Sequence, residues 1–146
     1  LIEKNNSGAR SIILPEKTRK DMGNVPIPFF SKEPDEEMIS NGSIETLFIP
    51  SSLYSPSTFA FKVSSWSMKE GGIIPGDIAI MDSEREAKDG DIVLGYPEGG
   101  EGKMELRRLR KLKTLTELWP ENDSMGITRS KKIVICGILR EIRRKY

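Results

Sequence analysis

Residues 63–77, with the sequence VSSWSMKEGGIIPGD, are the part of this 146-residue chain that is best equipped for chemistry. Ser67 follows an alternating apolar segment and precedes a glycine-rich turn, so its hydroxyl can be presented at the end of a strand. The backbone N–H groups that follow, beginning with that of Met68, can then face a developing oxyanion. Serines in turns are usually only turn formers, and a nucleophilic Ser67 would also need a general base.

The composition restricts which base could serve Ser67. The chain contains no histidine, which excludes Ser-His-Asp and Cys-His catalysis and the usual histidine-containing zinc sites. The base would therefore be a carboxylate or a neutral lysine. A lysine can act in this way only if burial lowers its pKa far below the usual value of about 10.4. The sequence indicates no metal and no cofactor.

Length and composition are typical of one globular domain with a charge-rich surface. The net charge is only +1, so the chain as a whole gives no argument for binding to nucleic acid or membranes. No apolar run approaches the ~20 residues that a membrane helix needs, and no signal peptide pattern is present. The single cysteine, Cys136, lies in an apolar run and is interpreted as a core residue. These features predict a cytoplasmic protein without a membrane partner.

The chain divides into a polar arm and a β-rich domain. Residues 1–24 are predicted to be a linker or arm, and residues 25–146 to form the domain. Short apolar segments there, separated by Gly, Pro and Asp turns, recur about every ten residues, which predicts an all-β barrel or sandwich of short strands. Because the sequence begins with Leu1 and not with methionine, we expect it to be a piece of a longer protein.

The order of motifs in residues 25–146 resembles the C-terminal domain of the LexA, UmuD and phage CI-type repressors, which are Ser–Lys self-cleaving proteins. The shared pattern is a strand, a Ser-Met pair, a Gly-Asp turn, an apolar strand and the segment DGDIV. The segments LRRL, LWPEN and VICGIL follow in the order that the family has. The resemblance implies a LexA-like twisted β fold with an extended N-terminal arm. It places Ser67 at the nucleophile position and Met68 at the oxyanion backbone, with Ser65 in place of the usual glycine.

The resemblance also places Arg107 where the family has its general-base lysine. A guanidinium does not deprotonate in proteins, so Arg107 could at most donate a hydrogen bond to Ser67 and leave a fixed charge in the groove. Lys69, Lys103 and Lys111 are expected to lie too far away or to point elsewhere.

The bond that the family cleaves is also missing. Family members cleave an Ala-Gly or Cys-Gly bond some thirty-five residues before the serine. The corresponding segment of this chain, VPIPFFSKEPDEE (residues 25–37), contains neither dipeptide. The sequence therefore favours a degenerate serine peptidase over an active enzyme.

The resemblance implies three possible functions. We predict the dimerisation and regulatory domain of a prophage- or SOS-type transcriptional repressor, whose operator DNA is bound by a helix-turn-helix domain outside this chain. An antirepressor protein would then replace cleavage as the inducer. The other two are an active self-cleaving domain stimulated by a RecA–DNA filament and a UmuD-like translesion polymerase subunit. Apart from the resemblance, a small β barrel without this ancestry is a purely structural alternative. The closing segment KKIVICGILREI (residues 131–142) is a candidate for the dimer interface and equally for the core.

Overall fold

The structure is a computed structural model, and it describes residues 23–99 and 104–144. The predicted arm, residues 1–24, lies outside the described residues except for its last two positions. The strands are β1 (Asn24–Phe30), β2 (Glu45–Pro50), β3 (Thr58–Lys62), β4 (Ile78–Asp82), β5 (Ile92–Pro97), β6 (Glu105–Lys111), β7 (Thr116–Trp119), β8 (Thr128–Ser130) and β9 (Ile133–Arg143). A short helix, α1 (Glu36–Asn41), and the 3₁₀ turns Ser51–Leu53 and Lys69–Gly71 complete the described elements.

The strands confirm the predicted all-β fold class. The described part of the larger of two compact units comprises Pro28–Thr46 and residues 55–99 and 104–144. Its strand order is β1-β3-β4-β9-β5-β6-β7-β8. The β1–β3 pair is parallel and the other neighbours are antiparallel, so the sheet is mixed. The described part of the smaller unit comprises residues 23–27 and Leu47–Tyr54, and within it the Ser51 N–H donates to the Gly23 carbonyl.

Two apolar clusters bury the two faces of the central strands. Successive side chains of a strand point to opposite faces, and so Val93 and Leu94 of β5 are both fully buried but belong to different clusters. In β6, Leu106 packs in the first cluster and Leu109 in the second. The irregular spacing of these two leucines therefore reflects a strand that is covered on both sides.

The closing segment predicted from the sequence forms β9 and lies in the middle of the sheet. Its neighbours are β4 and β5, and Cys136, Gly137 and Ile138 are buried. This central position confirms its role in the core, whereas its part in a dimer stays a prediction. Burial raises the pKa of the Cys136 thiol to about 12, as expected for a core residue. In the described residues, no helix is long and apolar enough to cross a membrane.

Candidate active site

Ser67 lies in the turn between β3 and the 3₁₀ turn Lys69–Gly71, and only 1% of the residue is exposed. The turn that follows β7 holds it in place. The Glu121 N–H donates to the Ser67 carbonyl at 2.8 Å, and the Asn122 Nδ2 donates to the Trp66 carbonyl at 2.9 Å. The LWPEN motif thus positions the serine, a role for Asn122 that the sequence analysis did not assign.

The Ser67 hydroxyl lies against the main chain of β6. Its Oγ donates to the Leu106 carbonyl oxygen at 2.8 Å, one residue before Arg107. A peptide carbonyl can accept a hydrogen bond but cannot act as a base that removes the proton. The Ser67 N–H is also engaged, because it donates to the Ser65 Oγ at 3.1 Å. Both the hydroxyl and the N–H of the serine are therefore held by hydrogen bonds to neighbouring residues.

The Arg107 side chain is 13% exposed and is held by partners other than Ser67. Its NH2 group donates to the Glu105 Oε2 at 2.7 Å, and its NH1 group donates to the Gly126 carbonyl at 2.9 Å. Within residues 23–99 and 104–144, no hydrogen bond joins Arg107 to Ser67. The expected contact between the two is therefore not formed, because a carboxylate two residues away on the same strand face captures the guanidinium.

Glu105 links the arginine to the serine turn. Its Oε1 accepts a hydrogen bond from the Ser65 Oγ at 3.2 Å, while its Oε2 binds Arg107. Ser65 occupies the position at which the resembling family has glycine, and a glycine could make neither this bond nor the one to the Ser67 N–H. The substitution at Ser65 and the substitution at Arg107 therefore belong to one hydrogen-bonded network.

Of the other candidate lysines, the two that the structure describes do not contact Ser67. Lys69 and Lys111 are exposed, and in the part of the chain that the structure describes neither forms a hydrogen bond with Ser67. Lys103 lies outside the described residues. Met68 packs in the first apolar cluster, and its carbonyl accepts hydrogen bonds from the Gly71 and Ile73 N–H groups. The roles of Ser67 as nucleophile and of Met68 as oxyanion donor stay predictions.

A carboxylate from the β1–α1 connection binds at the end of β3. The Glu33 Oε2 accepts hydrogen bonds from the Ser64 N–H at 3.0 Å and the Ser65 N–H at 3.3 Å, and its Oε1 accepts one from the Ser64 Oγ at 2.5 Å. Sequence reasoning missed Glu33, because nothing in the local pattern connects residues that lie 31 positions apart. Its contacts place the β1–α1 connection directly beside the Ser65–Ser67 turn.

Comparison with known proteins identifies the class to which this site and fold belong. Residues 30–140 match the Peptidase S24-like family, and the chain belongs to that family. It is 33% identical over 150 residues to the LexA repressor of Clostridium botulinum strain Langeland, and 32% identical over 158 residues to that of Clostridium novyi. Each match covers the whole chain and 73% of the relative. The LexA repressor of Leptospira biflexa is 33% identical over 120 residues, which cover 82% of this chain and 54% of the relative.

These matches confirm the predicted resemblance and rule out an unrelated β barrel. Whether this particular member cleaves itself depends on the residues around Ser67.

Proposed function

We propose that this chain is the dimerisation and regulatory domain of a transcriptional repressor that has kept the S24 fold and lost self-cleavage. The position and bonding of Arg107 carry the proposal. A guanidinium does not act as a base in proteins, and that of Arg107 is bonded to Glu105 and Gly126. The Ser67 hydroxyl points to the Leu106 carbonyl, which cannot remove its proton.

The segment before α1 supports the same proposal independently. The family's cleaved dipeptide would fall close to Lys32 and Glu33, directly before Pro34, and neither Ala-Gly nor Cys-Gly is present there. Proline has a fixed φ and no N–H, and the Glu33 side chain is tied to Ser64 and Ser65. The described residues therefore place no base beside Ser67, and residues 25–37 contain no dipeptide of the kind that the family cleaves.

In this proposal the domain acts through assembly. A dimer brings two DNA-reading domains, which lie outside this chain, onto paired half-sites of an operator. Linking two weak readers in this way raises operator affinity through effective concentration. Without cleavage, release from the operator requires a protein that binds this domain, such as an antirepressor.

The loss of self-cleavage is tested by incubation at alkaline pH. We expect the chain to keep its full mass at about pH 10, where a lysine base whose pKa is lowered by burial below about 10.4 would be largely neutral. Mass spectrometry after overnight incubation measures the outcome, with a LexA repressor that has lysine at the base position as the positive control. Cleavage of the unchanged chain would contradict the proposal and favour the self-cleaving alternative.

A variant of the same chain serves as a second control. Arg107→Lys combined with Lys32→Ala and Glu33→Gly restores both a base that can lose its charge and an Ala-Gly bond. We expect slow cleavage of this triple variant at alkaline pH and none when Ser67→Ala is added.

We expect the domain to form a dimer in solution. Light scattering at micromolar concentration should give twice the chain mass of 16.4 kDa, because in this proposal the domain itself supplies the dimer contact. A stable monomer at that concentration would remove the dimerisation role and leave only the loss of cleavage.

A further inference from the structure

Three hydrogen-bond donors at the end of β3 converge on a single carboxylate. They are the N–H groups of Ser64 and Ser65 and the hydroxyl of Ser64, and all three bind the side chain of Glu33. β3 ends at Lys62, so these N–H groups lie beyond the sheet ladder. Donors that are aimed at an ionised carboxylate form stronger bonds than donors to neutral groups. The arrangement is therefore a small carboxylate-binding site, which the chain fills with its own glutamate.

A cavity of about 480 Å³ adjoins this site. Met38 and Met104 supply apolar surface to its lining, and Lys32 supplies a positive charge. The two other acidic residues of the lining already have partners. Asp35 accepts the Met38 N–H at the start of α1, and Glu105 binds both Arg107 and the Ser65 Oγ. The cavity thus offers a partner side chain both room and apolar contact next to the carboxylate donors.

We propose that this site binds an acidic side chain of an extended peptide segment in a protein partner, and that Glu33 is an internal competitor for it. A partner glutamate would accept the three hydrogen bonds that Glu33 accepts now and would displace the Glu33 side chain. The exchange would free residues 31–35, which join β1 to α1. Its regulatory meaning rests on the proposed function, since a repressor that does not cleave itself needs such a partner.

The geometry of Glu33 is the reason to expect a glutamate as the occupant. The same two N–H groups and hydroxyl already hold a glutamate side chain in this chain. A tethered side chain competes at an effective concentration in the millimolar range. A partner therefore binds the unchanged protein weakly and binds it more tightly once Glu33 is removed.

The probe for this proposal is the chain's own sequence. A capped hexapeptide, acetyl-SKEPDE-amide (residues 31–36), is compared with the same peptide carrying glutamine at the Glu33 position. Trp66, which is 57% exposed and follows Ser65 directly, reports binding through its fluorescence. Glu33→Ala should bind the glutamate peptide about tenfold or more tightly than the unchanged chain, in keeping with a charge-assisted hydrogen bond. The glutamine peptide should bind Glu33→Ala at least about tenfold more weakly than the glutamate peptide.

Two variants separate the site from a general charge effect. Glu37→Ala removes an exposed carboxylate on α1 and should leave peptide affinity at the level of the unchanged chain. Adding Ser64→Ala to Glu33→Ala removes one donor and should weaken binding severalfold. Sodium acetate at the peptide concentration should not displace the peptide, and displacement would mean that the site takes any free carboxylate.

Equal affinities of the two peptides for Glu33→Ala, or equal affinities of Glu33→Ala and the unchanged chain, would overturn the proposal. If Glu33→Ala does not fold, titrating the unchanged chain with both peptides to several millimolar gives the same comparison. Binding is measured without reference to cleavage or dimerisation. A failure of the peptides to bind would overturn the carboxylate site and leave the proposed function standing. Cleavage at alkaline pH would instead contradict the proposed function and leave the carboxylate site unaffected.

Discussion

Replacing Gly95 with alanine is expected to lower the free energy of unfolding by about 3 kcal/mol, the upper end of the usual cost of overpacking. An added Cβ would lie 2.6 Å from the Val134 carbonyl oxygen and 3.5 Å from the Ile135 Cα. Both atoms belong to the backbone of β9, which cannot rotate away as a side chain can. The β5–β9 pair must therefore separate locally, at the point where its register shifts. Urea unfolding followed by circular dichroism measures the loss.

Gly126 provides the matched control for this substitution. A Cβ at Gly126 meets no atom within 4 Å, so Gly126→Ala should change stability by less than about 0.5 kcal/mol. Its carbonyl, which accepts the bond from Arg107, is retained in the variant. If the two alanine variants unfold at the same urea concentration, the close approach of β5 and β9 does not limit stability.

The strands could be predicted from the sequence where the apolar pattern is strong, and the short helix could not. The short apolar segments that predicted the β-rich domain include TFAFKV, DIAIMD and DIVLGY, and they contain β3, β4 and β5. By contrast, the predicted all-β domain included no helix, whereas α1 lies within it. Six residues are too few for a helical period to emerge. The helix depends instead on its ends, with Asp35 accepting the Met38 N–H at 2.8 Å and Gly42 adopting a φ of 82°.

Only those residues of the site that belong to the ordered motifs could be predicted from the sequence. The motifs predicted Ser67 at the nucleophile position and Arg107 at the position of the family's general-base lysine. They could not show where the guanidinium points, because Glu105 competes for it through a contact that depends on the face of β6. The bond between Glu33 and Ser64 joins residues 31 positions apart in sequence. Contacts of this kind depend on tertiary packing, which cannot be predicted from the periodicity of the sequence or from its turn residues.

Asp77→Ala is expected to lower the free energy of unfolding by about 2–3 kcal/mol. Asp77 is 1% exposed, and its carboxylate accepts two hydrogen bonds from Arg144 at 2.6 and 2.7 Å and one from the Ile74 N–H at 3.0 Å. Breaking a buried ion pair usually costs about 3–5 kcal/mol. The Arg144 side chain is 34% exposed and regains water when its partner is lost, which reduces the cost. Thermal and urea unfolding of the variant measure it.

The pH dependence of this loss follows from the direction of the pKa shift. The hydrogen bonds from Arg144, as the largest cause, hold the pKa of Asp77 below its usual value, against the opposing effect of burial. A carboxylate with a lowered folded-state pKa stabilises the fold above its unfolded-state pKa of about 3.9, and this contribution is lost as the pH falls through the folded-state pKa. The difference between the unchanged chain and Asp77→Ala should therefore be constant from about pH 5 to 8 and shrink below about pH 4.

The control for Asp77 is the exposed Asp123. No hydrogen bond to the Asp123 carboxylate is present in the described part of the chain, so Asp123→Ala should cost less than about 0.5 kcal/mol. A difference between Asp77→Ala and the unchanged chain that persisted undiminished at pH 3 would mean that Asp77 acts by packing and not by its charge. Asp77 ends the IPGD turn that precedes β4, and Arg144 follows β9. Their bond therefore ties the end of the closing strand to the region that carries Ser67.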